Sequence, residues 1–334
     1  MRPQAAAARA RALMRTVGAL VATERDLRAT AHSPARDLAV FHEFVPPPTG
    51  GGHQFLRALC GELERRGLEL ELNTLAHGTR ACLFNSFNFD FRRLRRFARR
   101  ETRMVHRVDG PIGVYRGRDD GTDARIARLN SGLADATVMQ SNWSLERHLE
   151  LGLELRDPTV IPNAADPAFF HLPAEREPLA GRALRVVASS WSDNPRKGLD
   201  ALQWLDAHLD TEQFEVTVVG RVATPLRRIR CLPPLPSAEL ADELRRHDAY
   251  LAASRDDPCS NALIEALSCG LPAVYRRSGG HPELVGPAGV GFDDVEQLGE
   301  SLTTMRDGIE RFRAAIAAPT LEAVADAYVE VLYP

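Results

Sequence analysis

A chain of 334 residues, 44% hydrophobic and 26% charged, has the length of two ordinary domains and the composition of a globular protein, which excludes the disordered and fibrous classes. Its 42 Lys plus Arg against 45 Asp plus Glu leave a formal charge of −3, so no global field draws it to nucleic acid or to an anionic membrane. The five cysteines (Cys60, Cys82, Cys231, Cys259, Cys269) stand in no CxxC or zinc spacing, which points to a reduced, cytoplasmic setting, and no apolar run approaches the roughly 18 residues of a membrane helix.

In chain order, residues 1–36 are rich in Ala and Arg. They are expected to form a helical extension, with a surface anchor as the alternative; Arg recurs through them, and Glu24 and Asp26 follow the short apolar stretch, unlike a secretory signal. Apolar runs then alternate with helical patterns, as a parallel α/β sheet requires. The pattern predicts strands over 37–45, 68–75, 80–87, 103–108 and 136–140, with helices over 54–66, 91–100, 122–133 and 143–151. A polar, proline-bearing stretch from 159 to 182 reads as a connection. The pattern restarts with strands over 184–189, 214–219, 249–253 and 272–276 and helices over 198–208, 238–246 and 261–269. Short helices close the chain. Two α/β units are therefore expected, 37–172 and 173–334, the last helix being free to pack back on the first unit.

In open parallel sheets, ligands bind at the carboxyl ends of strands and beside helix starts. Four stretches stand there. Gly50, Gly51, Gly52 and His53 link a strand to a helix, where a missing Cβ lets backbone approach a ligand; a tight turn explains them equally well, and they form neither a GxGxxG nor a Walker loop. The stretch 189–198 (SSWSDNPRKG) sets two cations, Arg196 and Lys197, at a helix start, where the dipole disfavours them unless an anion is bound. Lys197 is moreover the only lysine in the chain. Where Arg serves everywhere else, a lone Lys marks a site wanting a compact ammonium.

The third stretch, 254–272, places Asp257 in a loop after a strand and Glu265 one turn into the next helix, among Leu263, Ile264 and Leu267. Helix-start acids complement a dipole, which accounts for Asp257 but not for a carboxylate on an apolar face; such a group suits two sugar or ribose hydroxyls. The fourth, 278–285 (SGGHPELV), is a glycine turn followed by an acid at a helix start.

Together these motifs resemble the retaining family 4 glycosyltransferases of the GT-B fold. The resemblance lies in the Lys-Gly after the first strand of the second unit, the acid–seven residues–Glu element and the Gly-Gly-x-x-Glu turn. The stretches 160–166 (VIPNAAD) and 140–144 (QSNWS) are also similar to that family, and the likeness spans about 37–290. It implies two Rossmann-like domains with parallel sheets facing across a cleft. It also implies transfer of a hexose-type sugar from a nucleotide diphosphate to a saccharide, lipid-linked or small-molecule acceptor, without a metal or other cofactor. A nucleotide-sugar epimerase or a non-catalytic binding protein of the same fold is the alternative. By this likeness Lys197 and Arg196 neutralise the diphosphate and Gly51 and Gly52 close over it. Asp257, Pro258, Cys259, Ser260 and Asn261 hold the donor sugar, and Glu265 binds the ribose. His106 or Asp109 lines the reacting face, and with Lys197 and Asp257 these form the expected catalytic set. This chain departs from the family in two ways: the family's His-Asp pair has no clear counterpart, and Asp257 stands where Glu is usual. Finally, 91–103 (FRRLRRFARRETR) carries seven Arg beside Phe91, Leu94 and Phe97 at helical spacing. It reads either as a solvated helix packed on the sheet or as a face for peripheral contact with an anionic membrane.

Overall fold

The computed structural model describes residues 21–22, 24–26, 29–30, 33–45, 51–87, 89–190, 194–222 and 224–334. Most of the N-terminal extension and residues 46–50 and 191–193 lie outside the described residues, so the expectation of a helical 1–36 lies largely there too.

Two parallel six-stranded sheets form the framework. The first runs in the order β2-β1-β3-β4-β5-β6, with β1 at Leu38–Phe41, β2 at Leu70–Leu72, β3 at Ala81–Asn85, β4 at Arg103–Val108, β5 at Ala136–Met139 and β6 at Pro158–Val160. The second runs β12-β11-β10-β7-β8-β9, from β7 at Leu184–Ser190, β8 at Phe214–Gly220 and β9 at Arg230–Leu232 to β10 at Ala249–Ala252, β11 at Ala273–Arg276 and β12 at Gly289–Phe292. Central strands read as near-continuous apolar runs because helices cover both sheet faces: β1, β3, β5, β10 and β11 are buried along their whole length. Both the α/β class and the two facing sheets expected from the sequence are found.

The expected elements recur with ends shifted by a few residues. The first helix starts earlier than its pattern predicts, at Gly51, and runs to Arg65; Gly51 and Gly52 are therefore its first turn rather than the loop before it. Three edge strands carried too little pattern to be seen, namely Pro158–Val160, Arg230–Leu232 and Gly289–Phe292. Each is only three or four residues long.

The last helix, Leu321–Leu332, packs on the first sheet's helix and strands rather than on the unit that precedes it in the chain. Leu321, Val324, Ala325, Tyr328 and Leu332 share one core with Leu38, Val40, Phe55 and Leu83. The arginine-rich helix Phe91–Phe97 is capped by Asp90, and its stripe residues Leu94 and Phe97 lie fully inside the core. Arg93 pairs with Asp26 and Arg96 with Glu24, while Arg92, Arg95 and Arg100 face solvent. Among the described residues, no helix is long and apolar enough to cross a membrane.

Candidate active site

The carboxyl edges of the two sheets face one cavity of about 370 Å3. From the first half it is lined by His42 after β1, Asn85 at the end of β3, Asp109 after β4, Gln140 after β5 and the helix start at Gly51–His53. From the second it is lined by Lys197, Asp257 through Asn261, and Glu265.

Lys197 ends a short 3-10 turn, Pro195–Lys197, capped by the side chain of Asn194. Its Nζ lies 2.8 Å from Asp257 Oδ2 and 5.0 Å from the centre of the Tyr115 ring. Burial alone would lower the ammonium's pKa, but the Asp257 carboxylate outweighs it and holds the lysine firmly charged. The same pair works the other way on Asp257, which is 6% exposed: burial would raise it, and Lys197 holds it below the usual carboxylate value. The predicted diphosphate cation and the predicted sugar-binding acid thus neutralise each other. Arg196 sits beside them, paired with Asp256.

The loop carrying Asp257 is shaped by the second glycine turn. Gly280 N donates to the Asp257 carbonyl at 2.9 Å, and Ser278 Oγ accepts from Asp256 N at 2.9 Å. Gly279 has φ +66°, and a Cβ there would come within 2.1 Å of the Asp257 carbonyl oxygen. Glu283, the acid of that turn, points elsewhere: its carboxylate accepts from Asn142 N and Trp143 N, at the start of helix Asn142–Glu150 in the first half.

Glu265 lies in helix Asn261–Ser268, whose N-cap is Ser260. Burial pushes its carboxyl up to about 8, because the charged form loses its hydration there. A carboxyl left so close to neutral in a cleft is poised for a polar ligand.

Of the two first-half alternatives, only Asp109 reaches the cavity. His106 is corrected here: it is wholly buried, stacked on Phe84 at 4.3 Å, with Nδ1 3.2 Å from Asn130 Nδ2, and burial drives its pKa down to about 3. Side chains alternate along a strand, so His106 and Arg107 point to opposite sheet faces, and the histidine falls on the face packed by Phe84, away from the cavity. Asp109 lies just past the strand end, where that alternation no longer confines it. Its Oδ1 accepts from Arg107 Nη1 at 3.0 Å and from Gln140 Nε2, and its Oδ2 accepts from Ser86 Oγ at 2.9 Å.

Arg107 was not anticipated. Only 1% exposed, it also donates to Asn85 Oδ1 at 2.7 Å and to Asn163 Oδ1 at 2.8 Å. Asn163 Nδ2 in turn reaches Asn261 Oδ1 at 3.1 Å, in the second half. Tyr115, in the short helix Ile112–Arg116, and the pair His42 and His53 were likewise missed as site residues. The place of His53 in the glycine stretch 50–53 was the one available signal. Among the described residues no group of three or more His, Cys, Asp and Glu side chains comes together as a metal site would need.

Residues 185–307 match the family described as glycosyl transferases group 1. No curated protein matches the chain in sequence. Among solved structures, sucrose-phosphate synthase from Thermosynechococcus elongatus is 15% identical with a TM-score of 0.67, covering 89% of this chain and 98% of its own. HepE of Anabaena, solved with UDP, is 15% identical with a TM-score of 0.65, covering 88% and 98%. WaaG, a glycosyltransferase involved in lipopolysaccharide biosynthesis, is 13% identical with a TM-score of 0.62, covering 89% and 99%. At such identities the likeness establishes the fold, which is that of GT-B glycosyltransferases.

Proposed function

We propose that the protein is a glycosyltransferase that moves a hexose-type sugar from a nucleoside diphosphate donor to a hydroxyl acceptor, with retention of anomeric configuration and without a metal. One observation carries the reading: Lys197, Asp257 and Glu265 of the second half line a single cavity with Asp109 of the first. In this reading Glu265 accepts from the ribose hydroxyls, and the backbone from Asp257 through Asn261 holds the donor sugar. The diphosphate competes with Asp257 for the Lys197 ammonium, which frees the carboxylate to accept from sugar hydroxyls. The bond from the anomeric carbon to the β-phosphate oxygen breaks as the acceptor oxygen bonds on the same face. The acceptor proton passes to the departing phosphate. Lys197, with Arg196 beside it, stabilises the charge that develops there, and Asp109, pinned by three donors, orients the reacting sugar from the opposite wall.

HepE supports a nucleotide-sugar donor, since it has been solved with UDP and with UDP-glucose. A panel of nucleotide sugars, each incubated with and without a saccharide acceptor in excess chelator, tests the reading. Release of nucleoside diphosphate is expected, enhanced by acceptor. Isomerised nucleotide sugar with no release would mean an epimerase, no turnover with tight binding a non-catalytic protein, and a need for added Mg2+ would end the metal-free mechanism.

Peripheral membrane contact through 91–103 is proposed on its cations alone, because Leu94 and Phe97 are spent in the core. Each exposed Arg near an anionic bilayer contributes about 1 kcal/mol, so docking should be weak and salt-sensitive. Co-sedimentation with phosphatidylserine vesicles at low salt, absent at high salt, is the expected result.

A further inference from the structure

A chain of hydrogen bonds runs from the buried Arg107 to the cavity, and its direction is fixed. A guanidinium has donors only, so Asn85 meets Arg107 Nη1 with its Oδ1, at 2.7 Å. The amide's Nδ2 is thereby turned to His42 Nδ1 at 3.4 Å, and that nitrogen must accept. In a neutral ring the proton then sits on His42 Nε2, which lies 2.8 Å from His53 Nδ1 and donates to it. His53 carries its own proton on Nε2, the ring nitrogen for which no protein partner exists among the described residues. His53 lines the cavity. Burial, then His53 and Arg107, pull the His42 pKa down to about 4, and burial and then Arg57 lower that of His53, so the neutral forms required by this chain are those present near neutrality.

We infer that His53 donates a hydrogen bond from Nε2 to a phosphate oxygen of the donor, its tautomer dictated from Arg107 through Asn85 and His42. The inference rests on the nucleotide-sugar reading above. His53 is the third residue of helix Gly51–Arg65. That helix begins against the start of helix Asn261–Ser268: a Cβ at Gly51 would come within 2.5 Å of Asn261 Cβ. Two helix starts and the Lys197 ammonium therefore border one cavity, and an anion is the ligand their partial and full charges favour together. A ring N–H complements a phosphate oxygen there, whereas a bare ring nitrogen would repel it. The relay fixes the first of these.

Nitrogen-15 imidazole spectra of the free protein read the tautomers directly. Both His42 and His53 are expected as Nε2–H forms; an Nδ1–H form or an imidazolium at His53 near neutral pH overturns the inference. UDP, GDP, ADP, CDP and dTDP titrated by calorimetry give the second readout. His53→Ala should bind the best of these nucleotides about tenfold more weakly. His53→Gln, which can present an amide N–H, should recover part of that. Asn85→Asp exchanges the amide donor for an acceptor, so it should move the His53 proton off Nε2 and weaken binding as His53→Ala does. Equal affinity of wild type and His53→Ala overturns the inference while leaving the nucleotide-sugar reading intact. If wild type binds none of UDP, GDP, ADP, CDP and dTDP, that reading fails and the inference falls with it.

Discussion

Lys197 and Glu265 carry opposite electrostatic burdens, and each yields a distinct expectation. The ammonium is held between Asp257 and the face of Tyr115, a space shaped for a compact cation. Lys197→Arg keeps the charge but brings a planar fork into it, so kcat/KM should fall by an amount equivalent to about 2–4 kcal/mol of transition-state stabilisation. Turnover at the wild-type rate would mean that any cation suffices. Glu265 instead costs stability in the free protein. Its ordinary value is 4.5; above that pH the unfolded chain ionises it, while the folded carboxyl, held up to about 8, stays protonated. The cost therefore grows as pH rises from 4.5 and levels off above about 8. Glu265→Gln removes it. The variant should resist urea better than wild type at about pH 8, match it at about pH 4, and bind UDP or GDP more weakly at both neutral and alkaline pH. A variant that is less stable at alkaline pH, or that binds equally well, would make Glu265 an ordinary helix residue.

At the scale of elements, the glycine turn at 278–280 acts through the loop it supports. Gly279→Ala meets both a left-handed φ and the Asp257 carbonyl, so the loop must shift. Lowered stability together with reduced donor-sugar turnover is expected, and urea unfolding and initial rates measure the two. Full turnover would separate the turn from the site. Much of this architecture was legible in the sequence. Buried central strands such as β3 and β10 announce themselves as apolar runs, and Lys197 and Glu265 break local rules that a merely structural chain would keep. What escaped reading has physical reasons. Edge strands bury too few side chains to leave a pattern, and Gly51 and Gly52 have no side chains to signal that they begin a helix. His106 and Arg107 are adjacent in sequence, so only the pleat of β4 decides that one enters the core and the other the polar network. Asn85, Asn163 and Asn261 lie far apart along the chain, and nothing local marks them as partners.

For the whole molecule, the decisive feature is that the chain's last helix completes the core of the half in which the chain's strands began. Tyr328 is fully buried beside Phe55, with ring centres 6.2 Å apart, and Phe55 in turn lies under the Arg107 guanidinium at 5.2 Å. The helix that ties the two halves together therefore also backs the network that holds Asp109 and points His53. Tyr328→Ala leaves a cavity at this junction. Large-to-small changes of aromatic core residues cost about 3–5 kcal/mol, and the loss should fall on the first half, whose apolar core the ring fills. Residue-resolved hydrogen exchange is the measurement that locates it. Amides of β1, β3 and β4 are expected to lose protection while those of β7, β8 and β10 keep theirs. Nucleotide affinity should fall less than in Glu265→Gln, because the contacts proposed for the nucleoside belong to the second half. Uniform loss of protection across both sheets would instead mean that the halves unfold as one cooperative unit, with the terminal helix as the strap that makes them so.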